Sequence, residues 1–232
     1  MIVKNTDMQI GGLQKTSLLD YPDKISAIVF TKGCNFRCGY CHNSELIDFS
    51  DSLITEKEFF NFLEKRLGKL DGIVITGGEP CLQLDLLEFI RKIKNIGFLV
   101  KLDTNGSNPK MLNDVLNDVD YIAMDIKAPL EKYPQITRVN IDTEKIKKSI
   151  NIIKNSGIDY EFRTTVVKSQ LSFEDFEQIG KLINGAKKYY LQKFVPQKTL
   201  DKNMMNEITY SNQEFEQIKK ILNKYIENVS IR

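Results

Sequence analysis

The stretch I-S-A-I-V-F-T-K-G-C-N-F-R-C-G-Y-C-H-N, residues 25–43, decides how the rest of the chain is read. Its first seven residues are a β-branched apolar run, the pattern of a strand buried on both faces. Gly33 then allows a sharp turn, and three of the chain's four cysteines follow within eight residues, beside its single histidine, His42. Cys34, Cys38 and Cys41 form a C-x3-C-x2-C array, and three thiolates so close in sequence can converge on one soft metal centre. A four-iron cubane needs four terminal ligands. Three cysteines therefore leave one iron open to a small molecule, as a catalytic metal keeps an open position where a structural one is closed. The alternative is zinc with His42 as fourth ligand. Against it, structural zinc sites come as two separated ligand pairs, and adjacent Cys41 and His42 are poorly placed to meet one tetrahedral ion. His42 otherwise reads as a structural hydrogen-bonding residue.

Outward from this stretch the same alternation repeats. Apolar strands are expected at residues 73–76, 98–103, 119–125, 159–167 and 188–195. Helices are expected between them. Thr55-x-x-Glu58 is a capping box followed by Phe59, Leu63, Leu67 and Leu70; residues 84–96 end at Gly97; Asn108-Pro109 opens a helix to about Asn117. Ile146, Ile150 and Ile153 stripe a helix from Thr143 to Gly157, Ser172-x-x-Asp175 caps one ending at Gly185, and Ser211-x-x-Glu214 begins the last. The stretch with Pro129 and Pro134 reads as a loop, and residues 10–24 as a short hairpin or extended cap. Six strands alternating with six helices predict an α/β fold, a partial (β/α)6 TIM-like barrel, with residues 1–24 as the cap and 25–232 as a single domain. In βα barrels the site forms at the C-terminal strand ends. Cys34, Glu79, Asp103, Asp125, Arg163 and Gln192 all fall there.

Composition narrows the function. With 33 basic and 31 acidic residues the net charge is only +2, which argues against a nucleic-acid or membrane surface. No run approaches the roughly 20 apolar residues of a membrane span. Residues 1–9 are polar and charged without a secretory apolar run, so a cytoplasmic location is expected.

The remaining chemistry-bearing residues each allow two readings. Gly77-Gly78-Glu79-Pro80 is a strand-to-helix turn, or a place where backbone groups and a carboxylate meet a ligand ammonium. Cys81 is a small buried hydrophobe or part of a second metal site. Asp103, Asp125 and Lys127 end neighbouring strands, as helix caps or as a polar or cation-binding cluster. Arg163 lies inside an apolar strand and needs a partner, either a ligand carboxylate or a core acid.

The cysteine loop followed by G-G-E after the second strand resembles the radical S-adenosylmethionine superfamily. Within it, G-G-L-Q-K-T-S-L-L-D-Y-P, F-T-K-G-C-N-F-R-C-G-Y-C-H-N, G-G-E-P, M-D-I-K-A-P and L-Q-K-F resemble the activating proteins of glycyl radical enzymes. The likeness is greatest to the longer type of anaerobic ribonucleoside-triphosphate reductase activating protein, and it covers nearly the whole chain. The resemblance implies a radical SAM core in which Cys34, Cys38 and Cys41 hold a [4Fe-4S] cluster whose unique iron chelates S-adenosylmethionine. It places Tyr40 by the adenine and the methionine ammonium at Gly77, Gly78 and Glu79. Asp103 and Thr104 would lie near the ribose, or near a monovalent cation with Asp125. Lys127 and Arg163 would face the carboxylate, and Gln192 and Phe194 would flank the adenosine. Catalysis would then need no residue beyond the cluster and cofactor. An electron from a donor such as flavodoxin or ferredoxin would cleave S-adenosylmethionine, and the 5′-deoxyadenosyl radical would take a hydrogen atom from a glycine of the partner. Cys81 departs from that pattern. Competing readings are a radical enzyme acting on a small molecule, of the carboxy-deazaguanine synthase type, and a non-catalytic iron-sulfur or zinc module.

Overall fold

The computed structural model describes residues 7–49 and 53–232, so the first part of the polar N-terminal stretch, residues 1–6, lies outside it. Eight strands are described: β1 (Ile10–Ser17), β2 (Ser26–Thr31), β3 (Gly72–Gly77), β4 (Leu99–Thr104), β5 (Tyr121–Asp125), β6 (Asp159–Val166), β7 (Lys188–Lys193) and β8 (Asn228–Ile231). Their order in the sheet is their order in the chain. β1 runs antiparallel to β2, while β2–β3, β3–β4, β6–β7 and β7–β8 pair in parallel. Parallel neighbours need a crossover of a dozen or more residues, usually helical, and the helices supply it: α1 (Glu56–Glu64), α2 (Leu86–Ile96), α3 (Pro109–Val115), α4 (Tyr133–Thr137), α5 (Thr143–Lys154), α6 (Phe173–Leu182) and α7 (Asn212–Leu222). The architecture is α/β, and β2 to β7 are the six strands of the expected partial barrel.

The differences from expectation have local causes. β8 was not foreseen, because its four residues N-V-S-I are too short to show a period. α4 forms where the prolines suggested only loop; Pro134 stands in its first turn, where the missing N–H is harmless. α1 stops at Glu64 rather than near Leu70. The chain turns through Gly68 at φ +71°, which leaves Leu67 exposed and Leu70 buried.

The chain divides into two compact units. Of the described residues, the first comprises 7–35, 45–49, 53–104 and 108–122. Phe59 and Leu63, one turn apart on α1, bury their side chains with Phe89, Ile90 and Ile93 of α2; the Phe59 and Phe89 rings stack at 5.1 Å. The second comprises Phe36–Ser44, Asn105–Ser107 and Ala123–Arg232. Its core holds Phe162, Tyr189, Phe176 and Phe215, with Tyr210 edge-on to Phe173 at 5.4 Å and to Phe215 at 6.3 Å. Among the described residues no helix is long and apolar enough to cross a membrane.

Candidate functional site

In the first unit the end of β2 and the end of β3 meet without room for side chains. A Cβ on Gly78 would lie 2.2 Å from the Gly33 carbonyl oxygen, and one on Gly77, at φ +116°, 2.4 Å from the Thr31 nitrogen. The approach is fixed by hydrogen bonds: the Gly78 N–H donates to the Thr31 carbonyl and the Glu79 N–H to the Gly33 carbonyl, each at 2.8 Å. Gly33 and Cys34 in turn donate to the carbonyls of Leu46 and Ile47, again at 2.8 Å. The G-G-E turn thus braces the loop that carries Cys34.

Glu79 is buried, and its Oε1 accepts from the Cys81 N–H at 3.0 Å and from the Thr104 hydroxyl at 2.7 Å. Cys81 has no exposed surface; burial, then the neighbouring Glu79 charge, pushes its thiol well above the ordinary value. Its carbonyl accepts from Asn108 Nδ2 at 2.7 Å, the same side chain that caps α3 through the Met111 N–H. Asp103 stands two residues along β4 from Lys101, whose Nζ lies 2.6 Å from Asp103 Oδ1.

In the second unit the loop with Cys38 and Cys41 is held from several sides. The Arg37 N–H donates to the Thr137 carbonyl at 2.8 Å, the Leu200 N–H to the Cys41 carbonyl at 3.1 Å and the Asp201 N–H to the Gly39 carbonyl at 3.0 Å. Arg138 pairs with Asp201 at 2.5 Å, and its guanidinium crowds the place a Cβ on Gly39 would take. His42 Nε2 donates to the Val195 carbonyl at 3.1 Å, with its ring 6.1 Å from that of the buried Phe194.

Beside this loop Asp125, at the end of β5, accepts from Lys127 Nζ at 2.8 Å and from Arg163 Nε, on β6, at 2.5 Å. Burial alone would raise the Asp125 carboxyl, but the charges of Arg163 and Lys127 outweigh it and hold the group well below the usual carboxylate range. Burial likewise would lower Lys127, yet Asp125 first and other nearby groups keep it well above its ordinary value. The Lys127 ammonium lies 5.9 Å from the centre of the Tyr40 ring, and the Tyr133 hydroxyl accepts from the Lys127 N–H at 3.1 Å. Burial pushes the Cys38 thiol up, with the Lys127 charge partly offsetting it. The enclosed Tyr40 hydroxyl lies against the Cys38 sulfur and, among the described residues, has no other hydrogen-bond partner.

These features fit the expected iron-sulfur cluster. All four cysteines are free thiols, Cys38 is buried within reach of the Lys127 charge, and the enclosed Tyr40 hydroxyl stands next to it. Among the described residues no three His, Cys, Asp or Glu side chains gather as a metal-ion site; a cubane asks instead for one thiolate at each of several separate irons.

Of the residues expected at the site, Glu79 and Thr104 meet directly in the first unit, and Tyr40, Asp125, Lys127 and Arg163 gather near Cys38 in the second. Arg163 Nε pairs with the half-buried Asp125 at the end of β5. Gln192 is half-buried on β7, in register with Thr165. Sequence reasoning missed Lys101, whose signal was its alternation with Asp103 between the apolar Val100 and Leu102. It also missed Tyr133 and Arg138, whose roles come only from tertiary contacts.

The model of the Radical SAM superfamily matches residues 28–183. A protein of Methanocaldococcus jannaschii, named provisionally as a glycyl-radical enzyme activating enzyme, is 36% identical over 230 residues, 96% of this chain and 95% of its own. The pyruvate formate-lyase-activating enzyme of Clostridium pasteurianum is 24% identical, over 94% of this chain and 95% of its own. The crystal structure of QueE from Escherichia coli aligns with 97% of this chain and 94% of its own, at a TM-score of 0.60 and 14% identity, a likeness of fold.

Proposed function

Because the chain belongs to the Radical SAM superfamily, we propose that it is an activating enzyme that installs a glycyl radical on a partner protein, and that the partner is an anaerobic ribonucleoside-triphosphate reductase. The observation that carries the activating role is the match over nearly the full length of both chains to a relative named for that role. The choice of reductase rests on the motif resemblance, above all G-G-L-Q-K-T-S-L-L-D-Y-P and M-D-I-K-A-P.

In this reading Cys34, Cys38 and Cys41 are the three protein ligands of a [4Fe-4S] cluster. Such a cluster would supply one-electron chemistry: with an electron from a flavodoxin- or ferredoxin-like donor it would cleave S-adenosylmethionine reductively to methionine and a 5′-deoxyadenosyl radical, the species that would take a hydrogen atom from the partner's glycine. The chain's own residues bind and orient. Gly77, Gly78 and Glu79 receive the ammonium of S-adenosylmethionine, and Asp103 and Thr104 lie near its ribose. Lys127 and Arg163, both anchored on Asp125, carry the positive charge that suits a carboxylate. Tyr40, Gln192 and Phe194 take the adenosine. A monovalent cation near Asp103 and Asp125 is not part of this reading, because Lys101, Lys127 and Arg163 already bring positive charge to those carboxylates.

The test is electron paramagnetic resonance on the reduced protein mixed with S-adenosylmethionine and the reductase. A glycine-centred doublet is expected. No doublet while 5′-deoxyadenosine still accumulates would move the function to a small-molecule substrate, and no 5′-deoxyadenosine at all to a non-catalytic module.

A further inference from the structure

Lys101 sits in the middle of β4, where its neighbours Val100 and Leu102 point to one buried face and Lys101 and Asp103 to the other. It is 2% exposed. An ammonium is a compact, strongly hydrated point charge, and taking it out of water is unfavourable unless an anion meets it. A Met or Leu would fill the same strand position without that penalty. Lysine is therefore there for its charge, and Asp103 Oδ1 receives that charge at 2.6 Å. The next residue, Thr104, donates its hydroxyl to Glu79 at 2.7 Å, so the strand end fixed by the Lys101 pair also orients Glu79. In the second unit the other strand-end carboxylate, Asp125, is met in the same way by Lys127 and Arg163. Each carboxylate whose position suggested a free cation thus faces a cationic side chain of its own unit.

We propose that Lys101 is a built-in monovalent cation: its ammonium fills the place at Asp103 that a metal ion would otherwise take, and it acts as a positioning residue for Asp103, Thr104 and Glu79. The protein then needs no free sodium or potassium at this point. The proposal rests on the function above only in taking this strand end to face S-adenosylmethionine.

The test uses cluster-loaded, unreduced protein titrated calorimetrically with S-adenosylmethionine in chloride salts of sodium, potassium, ethylammonium or tetramethylammonium at equal ionic strength. The native protein is expected to bind equally in all four. Lys101→Ala is expected to bind about tenfold more weakly in tetramethylammonium, a coupling of ordinary size, and to recover saturably when a small cation is supplied. Lys101→Ala/Asp103→Asn, which removes both charges, is expected to fold and to show no such recovery. A native protein that requires sodium or potassium would overturn the proposal. So would Lys101→Ala binding normally in tetramethylammonium or weakly in every salt, or a double variant that small cations rescue. If no form binds S-adenosylmethionine, the proposed function fails instead, and thermal melting then carries this test. Small cations should raise the melting temperature of Lys101→Ala and leave the native protein unchanged; an equal response in both would overturn the proposal.

Discussion

At the scale of single residues, the four cysteines separate by surroundings. Cys38 is buried within reach of the Lys127 charge, whereas Cys81 is sealed beside Glu79 and Thr104, where negative charge opposes a thiolate. Replacing Cys34, Cys38 or Cys41 by Ala is expected to abolish 5′-deoxyadenosine formation, since a cubane loses a terminal ligand. Cys81→Ala should retain it and lose about 1 kcal/mol of stability to a small cavity. Quantifying the nucleoside by chromatography for all four variants checks this, and a loss in Cys81→Ala equal to that in Cys38→Ala would overturn the packing role. The Asp125 triad makes a second prediction. Asp125→Asn takes the shared anion away from the largely buried Lys127 and Arg163, so unfolding free energy should fall by about 3–5 kcal/mol in a denaturant titration. Arg163 shows where reading residues alone stops: a charge in an apolar strand announces a need for a partner, and only the fold says that the partner is Asp125.

At the scale of elements, helix starts were legible because they are written in side chains that satisfy the first free N–H groups. Thr55 with Glu58, Ser172 with Asp175 and Ser211 with Glu214 all form the reciprocal capping box their spacing predicts. Helix ends were less legible: leucines at helical spacing ran on to Leu70, but α1 ends at Glu64 with Lys65 as its cap, before the chain turns through Gly68. The α7 cap carries a pH prediction. Hydrogen bonds from Lys168, then from Ser211, lower the Glu214 carboxyl from 4.5 to about 2. A depressed folded-state value gives stability that is present above the unfolded-state value and is lost as pH falls through the folded one. The melting temperature of Glu214→Gln should therefore lie below that of the native protein at neutral pH. The gap should close as pH drops from 4.5 toward 2. A gap that stays constant across that range would rule out the charged cap.

At the scale of the molecule, the six strands β2 to β7 and the side chains at their ends could be read from the sequence, because apolar runs of strand length broken by Gly, Asp and capping residues repeat along the chain. The last strand could not, since β8 is defined by pairing with β7 rather than by any pattern of its own. What holds it is equally non-local. Arg232 receives the Lys193 N–H on its carbonyl and donates its own N–H to Leu191, at 2.8 and 2.9 Å. Its guanidinium reaches the fully buried Glu161 of β6 with Nη1 to Oε1 at 2.9 Å and Nη2 to Oε2 at 3.2 Å, lying 3.4 Å from the Tyr190 ring centre on the way. A two-pronged pair over a buried acid, 71 residues apart in sequence, ties β6 to the residue after β8 across β7. Arg232→Ala should therefore lower unfolding free energy by about 2–3 kcal/mol, because the enclosed Glu161 loses both guanidinium hydrogen bonds. Arg232→Ala/Glu161→Leu should recover most of that loss by replacing the buried charge with apolar packing. Urea titration of the two variants checks the argument: if the single variant is as stable as the native protein, backbone pairing alone holds β8, and if the double variant recovers nothing, the loss came from the cation over Tyr190 rather than from the stranded carboxylate.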